Sequence, residues 1–245
     1  MTLEICVDTL ASVDACARAG ADRIELCAAL VEGGTTPSIG FLHAARRRFP
    51  GKIMAMLRPR AGDFVYSAAE FDLMLDEIDF LRREGADGIV FGMLTPDGTI
   101  DSARSQLIVA RAAGLDLTFH RAFDVSRDLS ESLEALIALG VPRVLTSGGH
   151  PNVMSGMAAL THLASQAAGR IALLPGGGVK PENIAEIIRR TGVTEVHLSA
   201  RVSVPSTMRH RRPDLPLGAA TVPGEYEHKT ASTAIIRAAR QAMLA

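Results

Sequence analysis

Five times along this chain a segment patterned like a helix runs out on a glycine, and a short apolar run begins a few residues later. The five are Gly20-Ala21-Asp22-Arg23, Gly85-Ala86-Asp87-Gly88, Gly114-Leu115-Asp116, Gly140-Val141-Pro142-Arg143 and Gly192-Val193-Thr194-Glu195. Glycine suits the left-handed residue that closes a helix, and two or three further residues make a usual helix-to-strand connection. Filling in the units between them predicts strands near residues 3–7, 23–27, 53–57, 88–91, 117–121, 143–146, 171–174 and 195–199. Amphipathic helices fall between, such as 71–84 with apolar Leu73, Leu75, Ile78 and Leu81, and 129–139 opened by Asp128 as N-cap. Strict strand-helix alternation means parallel strands, and about eight of them close a barrel. The expectation is an α/β chain folded as a single (β/α)8 barrel of the TIM type over residues 1–245, with a long irregular segment, 201–223, after the eighth strand. An open doubly wound sheet is the alternative. Its glycine-rich turn after the first strand is replaced here by Val7-Asp8-Thr9-Leu10, so no nucleotide cofactor is expected.

The strands alternate in polarity, which sorts their side chains onto two faces. Leu3, Ile5 and Val7 oppose Glu4 and Cys6; Ile24 and Leu26 oppose Glu25 and Cys27. Leu117 and Phe119 oppose Thr118 and His120, and Val196 and Leu198 oppose Glu195, His197 and Ser199. The apolar sets must face the helices, so the polar groups point into the barrel. An unpaired carboxylate out of water costs several kcal/mol, roughly the stability of a whole domain, so inward acids need partners. Arg58, ending the third strand, is the expected partner of Glu25. His197, Glu4, Glu25 and Arg58 then stand side by side with His120 facing them, either as a functional cluster or as a satisfied polar core layer.

The loops at the strand C-termini are rich in polar and glycine residues, and those at the other end are short, which marks the functional face. Glu25 or His120 could act as a base there, with His197 nearby, while Arg58 and Arg60 hold a carboxylate or phosphate. Gly176, Gly177 and Gly178, followed by Pro181 at a helix start, could admit an anion to backbone N–H groups, or could simply form a tight turn. Glu4, Asp124, Ser147 and Ser199 complete the candidate ligand contacts. A Schiff-base mechanism is set aside, because Lys52 precedes the third strand, Lys180 lies beyond the glycine run and Lys229 falls in the last helix.

A net charge of -1 and a pI near 6.7 provide no basic field for nucleic acid or an acidic membrane surface, so a small-molecule or metal ligand is expected. Met1 leads straight into an apolar strand, and no stretch is long and apolar enough to span a membrane, which points to the cytoplasm. Cys6, Cys16 and Cys27 are odd in number and lack CxxC spacing, against both a disulfide framework and a zinc knuckle.

These segments together resemble the CutC family, long described as copper homeostasis proteins. The resemblance is carried by Leu3-Glu4-Ile5-Cys6, Gly20 to Cys27, Gly33-Gly34-Thr35-Thr36-Pro37-Ser38, Arg58-Pro59-Arg60 with Gly62-Asp63-Phe64, Thr118 to Asp124, Leu145 to Gly149 and Gly176-Gly177-Gly178-Val179. It implies a TIM-type barrel, a cytosolic location, a homo-oligomer, a role in copper handling, and Cys6 and Cys27 at the positions proposed for copper. The sequence departs from the family after the eighth strand, where Met208-Arg209-His210-Arg211-Arg212-Pro213 replaces a usual Arg-Asn pair.

Copper handling, assigned through the resemblance, is the first reading of function, and a barrel enzyme is the alternative. Cys6 and Cys27, read as equivalent inward positions on adjacent strands about 4.8 Å apart, could share one Cu(I) ion, or could be small buried hydrophobes. Alternatively the barrel is an enzyme using acid/base chemistry on a small phosphorylated, carboxylated or sugar-like substrate.

Overall fold

The computed structural model describes residues 1–215 and 224–244. Eight parallel strands alternate with helices: β1 (Thr2–Val7), α1 (Leu10–Ala19), β2 (Arg23–Leu26), α2 (Ile39–Arg46), β3 (Lys52–Met56), α3 (Ala68–Arg83), β4 (Gly88–Phe91), α4 (Ser102–Arg111) and β5 (Asp116–Phe119). The series continues with α5 (Leu129–Ala138), β6 (Arg143–Thr146), α6 (Met157–Ala167), β7 (Ala172–Pro175), α7 (Pro181–Thr191) and β8 (Glu195–Leu198). Ladders run β7-β6-β5-β4-β3-β2-β1-β8, and β7 and β8 lie against each other to bring the sheet round into a nearly closed TIM barrel. No helix among the described residues is long and apolar enough to cross a membrane.

The local chemistry explains the elements. All five predicted closing glycines are left-handed, with φ between 70° at Gly192 and 91° at Gly85. Helix α5 starts where Asp128 accepts the Glu131 amide, and α3 starts three residues before the expected position, on a Ser67–Glu70 capping box. The buried stripe of α3 is Phe71, Met74, Ile78 and Leu81, spaced three and four residues apart on one helical face, and Leu73, expected in the core, falls off that stripe and is exposed. The outward strand residues Leu3, Ile5, Val7, Ile24, Leu26 and Val196 join the helix faces in one continuous core. Inside the barrel, Cys27, Met54, Met56 and Val90 form a separate apolar cluster on the β2–β4 side.

The tail differs from expectation. Arg201–Pro205, expected to be irregular, is strand β9, paired antiparallel with β10 (Glu227–Ala231). Lys229 therefore lies on β10 and not in the last helix, α8 (Thr233–Ala242). Alternation of polar and apolar residues in Arg-Val-Ser-Val-Pro is the local reason for the strand. Residues 216–223 of the predicted segment lie outside the described residues.

Candidate functional site

The register of β1 builds the lower half of the site. Glu4 stands level with His197 of β8 on one side and with Arg23 of β2 on the other. Its carboxylate accordingly accepts from His197 Nδ1 at 2.7 Å and pairs with the Arg23 guanidinium. Arg23 also pairs with Glu195, which takes Arg143 Nε at 2.7 Å, and Arg143 reaches Asp116 at 3.2 Å and Thr118 Oγ1 at 3.1 Å. Burial alone would raise the Glu4 pKa, but Arg23 and His197 outweigh it and pull it down to about 2. Arg23, and not Arg58, is thus the arginine that neutralises the inward acids.

One step up the barrel, Cys6 is level with Glu25, and Glu25 with Met54. Glu25 is 3% exposed, and its Oε1 has no hydrogen-bond partner. Its Oε2 lies 3.9 Å from His197 Nε2. Burial drives the Glu25 carboxyl upward, whereas Glu25, Cys6 and Glu4 outweigh burial at His197 and hold the imidazole well above its ordinary value. The two groups face each other across 3.9 Å and titrate as a coupled pair, each holding a proton more strongly than it would in water.

Across the barrel, His120 follows β5 and is 4% exposed. Its Nδ1 accepts the Ala122 backbone N–H at 3.1 Å, which places the hydrogen of the neutral ring on Nε2, and Nε2 has no partner. Burial and the nearby Arg58 charge push its pKa down to about 3. Phe64 packs on the ring at 4.9 Å between centroids, and a Cβ at Gly92 would come within 2.4 Å of the imidazole, so that neighbour must be glycine.

These groups open into one cavity of about 1050 Å³ at the C-terminal ends of the strands. Of the predicted residues, Glu25, His120, His197, Arg58, Cys6, Gly177, Gly178 and Ser199 line it. Arg58, however, is engaged: its guanidinium donates to the carbonyls of Glu32, Gly34 and Gly62 at 2.8–2.9 Å and stacks over Phe64. It ties two loops together and does not reach Glu25 as expected. Six other predicted residues are not among those lining the cavity. Arg60 is bound to Glu70, Asp63 and the Val65 carbonyl outside the barrel mouth. Asp124 is saturated by Arg121, Thr146, Ser147 and the Gly149 amide. Ser147 bonds Asp124 and Arg121 behind the wall. Gly176 is where the chain squeezes past Leu145 and His197, too tightly for a Cβ. Glu4 sits beneath His197.

Cys27 is the sixth, and the expected equivalence of the two thiols does not hold. It lies two residues beyond the position level with Cys6, about 6.6 Å of strand rise. Its Sγ is packed under Gly34 and beside Met56, 3.5 Å from Glu25 Oε2. Burial, then the Glu25 charge, push the thiol pKa far up in the metal-free protein. The donor atoms that do converge are Cys6 Sγ, Glu25 and His197, all within 4.8 Å of one another.

Three basic residues on the cavity wall were not predicted: Arg121, Lys180 and Arg201. Arg121 was legible as the residue after His120. Lys180 was set aside for its distance from the strand, yet a helix starting at Pro181 brings it to the rim. Arg201 lay in the misread tail, and its Nε is buried without a partner. Arg121 is held by Asp124 at 2.7 Å and Ser147 at 2.7 Å, leaving its Nη1 free against Gly177. Gly177 and Gly178, at φ 90° and 77°, turn their own N–H groups and that of Val179 away from any protein acceptor among the described residues. Two of the three non-glycine residues with positive φ, Ala29 and Ala200, flank the same cavity, where each stores about 1 kcal/mol or more of strain.

Comparison with known proteins identifies the family and the fold. The CutC family model matches residues 1–202. A CutC family protein of Chromobacterium violaceum is 46% identical over 241 residues, covering 98% of this chain and 97% of that protein. The mouse copper homeostasis protein cutC homolog is 43% identical over 235 residues, 96% and 86% of the two chains. The crystal structure of CutC from Streptococcus agalactiae superposes with a TM-score of 0.76 at 33% identity, covering 80% of this chain and 97% of that one. Phosphoribosylanthranilate isomerase from Thermotoga maritima, at 14% identity and a TM-score of 0.61 over 100% of this chain and 98% of that one, shares the fold. The chain belongs to the CutC family.

Proposed function

We propose that the barrel is an enzyme that moves a proton on a small anionic, oxygen-bearing substrate. The observation that carries this reading is that two buried polar atoms, Glu25 Oε1 and His120 Nε2, have no partner among the described residues and belong to residues lining one cavity, as do the unpartnered Nε atoms of Arg58 and Arg201. A buried polar group without a partner costs about 1–3 kcal/mol, so two on facing walls point to a ligand that satisfies both. His120 offers a neutral N–H to a substrate carbonyl or hydroxyl oxygen, without the charge that would trap an anionic product. Glu25, coupled to His197, stands opposite as the group that takes or gives a proton. The free amides of Gly177, Gly178 and Val179, the open Nη1 of Arg121 and the Lys180 ammonium supply the seat for a phosphate or carboxylate.

Calorimetric titration of metal-free protein with inorganic phosphate, citrate and glycerol 3-phosphate tests this. At least one should bind, and Arg121→Met should weaken it by about 10-fold or more, the worth of one charge-assisted contact. No binding of any of the three to the wild type would remove the reading.

Copper handling is a second reading, attached to the printed names of the mouse and human relatives and supported here by one cavity-facing thiol, Cys6. Competition against a Cu(I) chelator tests it, with Cys6→Ser expected to weaken Cu(I) retention.

A further inference from the structure

We infer that Cys6, Glu25 and His197 form a binding site for a single divalent ion of the zinc or cobalt kind, with its fourth coordination position open to the cavity. The inference rests on reading the cavity as the functional site and deepens it at one point: with the ion bound, Glu25 and His197 hold it instead of moving a proton, while the anion seat at Gly177, Gly178, Val179 and Arg121 is unaffected, so the ion site and the anion seat fail independently.

Three observations carry it. The first is convergence: the thiol, the carboxylate and the imidazole come from three adjacent strands, β2, β1 and β8, and lie within 4.8 Å of one another. Ligand atoms arranged tetrahedrally about zinc lie roughly 3.4–3.6 Å apart, so side-chain rotations of about 1 Å close the set. The second is orientation. His197 Nδ1 is bonded to the Glu4 carboxylate at 2.7 Å, which leaves Nε2 as the atom presented to the ion. A carboxylate behind a histidine is the usual device for fixing the tautomer and ring plane of a metal-bound imidazole. The third is weak competition for the donors: among the described residues Glu25 Oε1 has no hydrogen-bond partner, and the Cys6 thiol has a long contact of 4.0 Å to the Leu198 carbonyl and an interaction with His197, itself one of the three ligands.

The donor chemistry selects the ion. One thiolate, one imidazole and one carboxylate suit a borderline divalent cation, whereas Cu(I) favours a set of soft sulfur donors. Cys27, the second sulfur, packs under Gly34 with its thiol toward Glu25 Oε2 at 3.5 Å and is not one of the three converging donors. Two anionic ligands neutralise the ion, and Glu4 is already balanced by Arg23. Three protein ligands with a free position on the cavity side is the arrangement of catalytic sites, while structural sites use four.

The test is titration of chelator-treated full-length protein with Co²⁺ under reducing conditions. One equivalent should give the visible bands of a four-coordinate ion and a near-ultraviolet thiolate-to-cobalt charge-transfer band. Cys6→Ser should abolish the charge-transfer band, and Cys27→Ser should leave it in place. Absence of the band in the wild type, or its loss in Cys27→Ser with survival in Cys6→Ser, would overturn the site. Calorimetry with inorganic phosphate on the same metal-free variants reports whether the cavity remains folded and separates the two proposals. Phosphate binding without cobalt binding sinks the ion site and leaves the cavity reading, while cobalt binding with no uptake of any test anion supports the ion site and sinks the anion reading.

Discussion

The lower and upper halves of the barrel interior are built from the same residue types with opposite bookkeeping of partners. Below, Glu4, Arg23, Arg143, Glu195 and Asp116 are joined in one network of ion pairs, and every charge has an opposite neighbour. Above, Glu25 Oε1 and His120 Nε2 face a cavity with no protein partner. The lower layer can be understood from the protein alone. The upper one cannot, and that contrast distinguishes a polar core from a site when both are buried and both are charged.

The largest test of the contrast sits at its boundary. Arg23→Met leaves Glu4 and Glu195 facing each other with less compensation, and breaking a buried ion pair from one side costs about 3–5 kcal/mol. Glu25→Gln, one layer higher, keeps the side-chain volume and removes a charge that burial already disfavours. Its stability should stay within about 1 kcal/mol of the wild type, while turnover or ligand binding is lost. Urea unfolding of the two variants checks the pair. Equal losses would mean that the upper carboxylate is as structural as the lower one.

How much of this was legible follows the same division. The strand-helix alternation and the closing glycines are local signals, and period-two polarity placed Glu4, Glu25, His120 and His197 inside the barrel correctly. Register is not local. Whether Cys6 meets Cys27 or Glu25 depends on how far β2 is shifted along β1, and nothing in either strand's own sequence states that shift. Arg23 shares the inward parity of Glu25 and Cys27, so its place inside the barrel was legible, but its pairing with Glu4 across the β1–β2 register was not, and Arg58 received the role. Side-chain reach was equally hidden: Arg58 and Arg60 are long enough to turn outward to loop carbonyls and acids, and Asp124 is consumed by four nearby donors. The basic wall of Arg121, Lys180 and Arg201 comes from three separate segments, the last of them the start of β9, and only the closing ring brings them together.

A smaller effect belongs to Arg58, which the sequence placed in the upper half and the structure makes a tie between loops. Arg58→Met loses three charge-assisted bonds to carbonyls, and partial rearrangement of the loops limits the net loss to about 1.5–3 kcal/mol. Amide exchange should rise around residues 32–36 and 58–64, and anion affinity should stay within about twofold, or 0.4 kcal/mol. A tenfold drop in anion affinity without faster exchange would return Arg58 to the binding site.

The smallest predicted effect uses pH to ask whether His120 is held neutral by the fold. Its folded pKa is depressed from 6.5 to about 3. In the unfolded chain the ring takes up a proton as pH falls below 6.5, while in the folded protein it does not, so folding loses stability as pH drops through that window. The slope approaches 1.36 kcal/mol per pH unit, and over the first unit below 6.5 the accumulated loss is about 1 kcal/mol. Other buried groups behave differently there. Glu4, with its carboxyl pulled down to about 2, loses its contribution only below 4.5. His197, with a raised pKa, has its full stabilising contribution already in place below 6.5 and adds no slope. Glu25, also raised, gains stabilisation as pH falls toward 4.5 and partly masks the His120 effect. The informative quantity is therefore the difference between wild type and His120→Gln, whose amide can still accept from a backbone N–H but does not titrate. Between pH 6.5 and pH 5.5 the wild type should lose about 1 kcal/mol of stability relative to the variant, read from urea midpoints. Parallel curves would mean that His120 titrates normally in the folded state, and the neutral N–H assigned to substrate recognition would lose its basis.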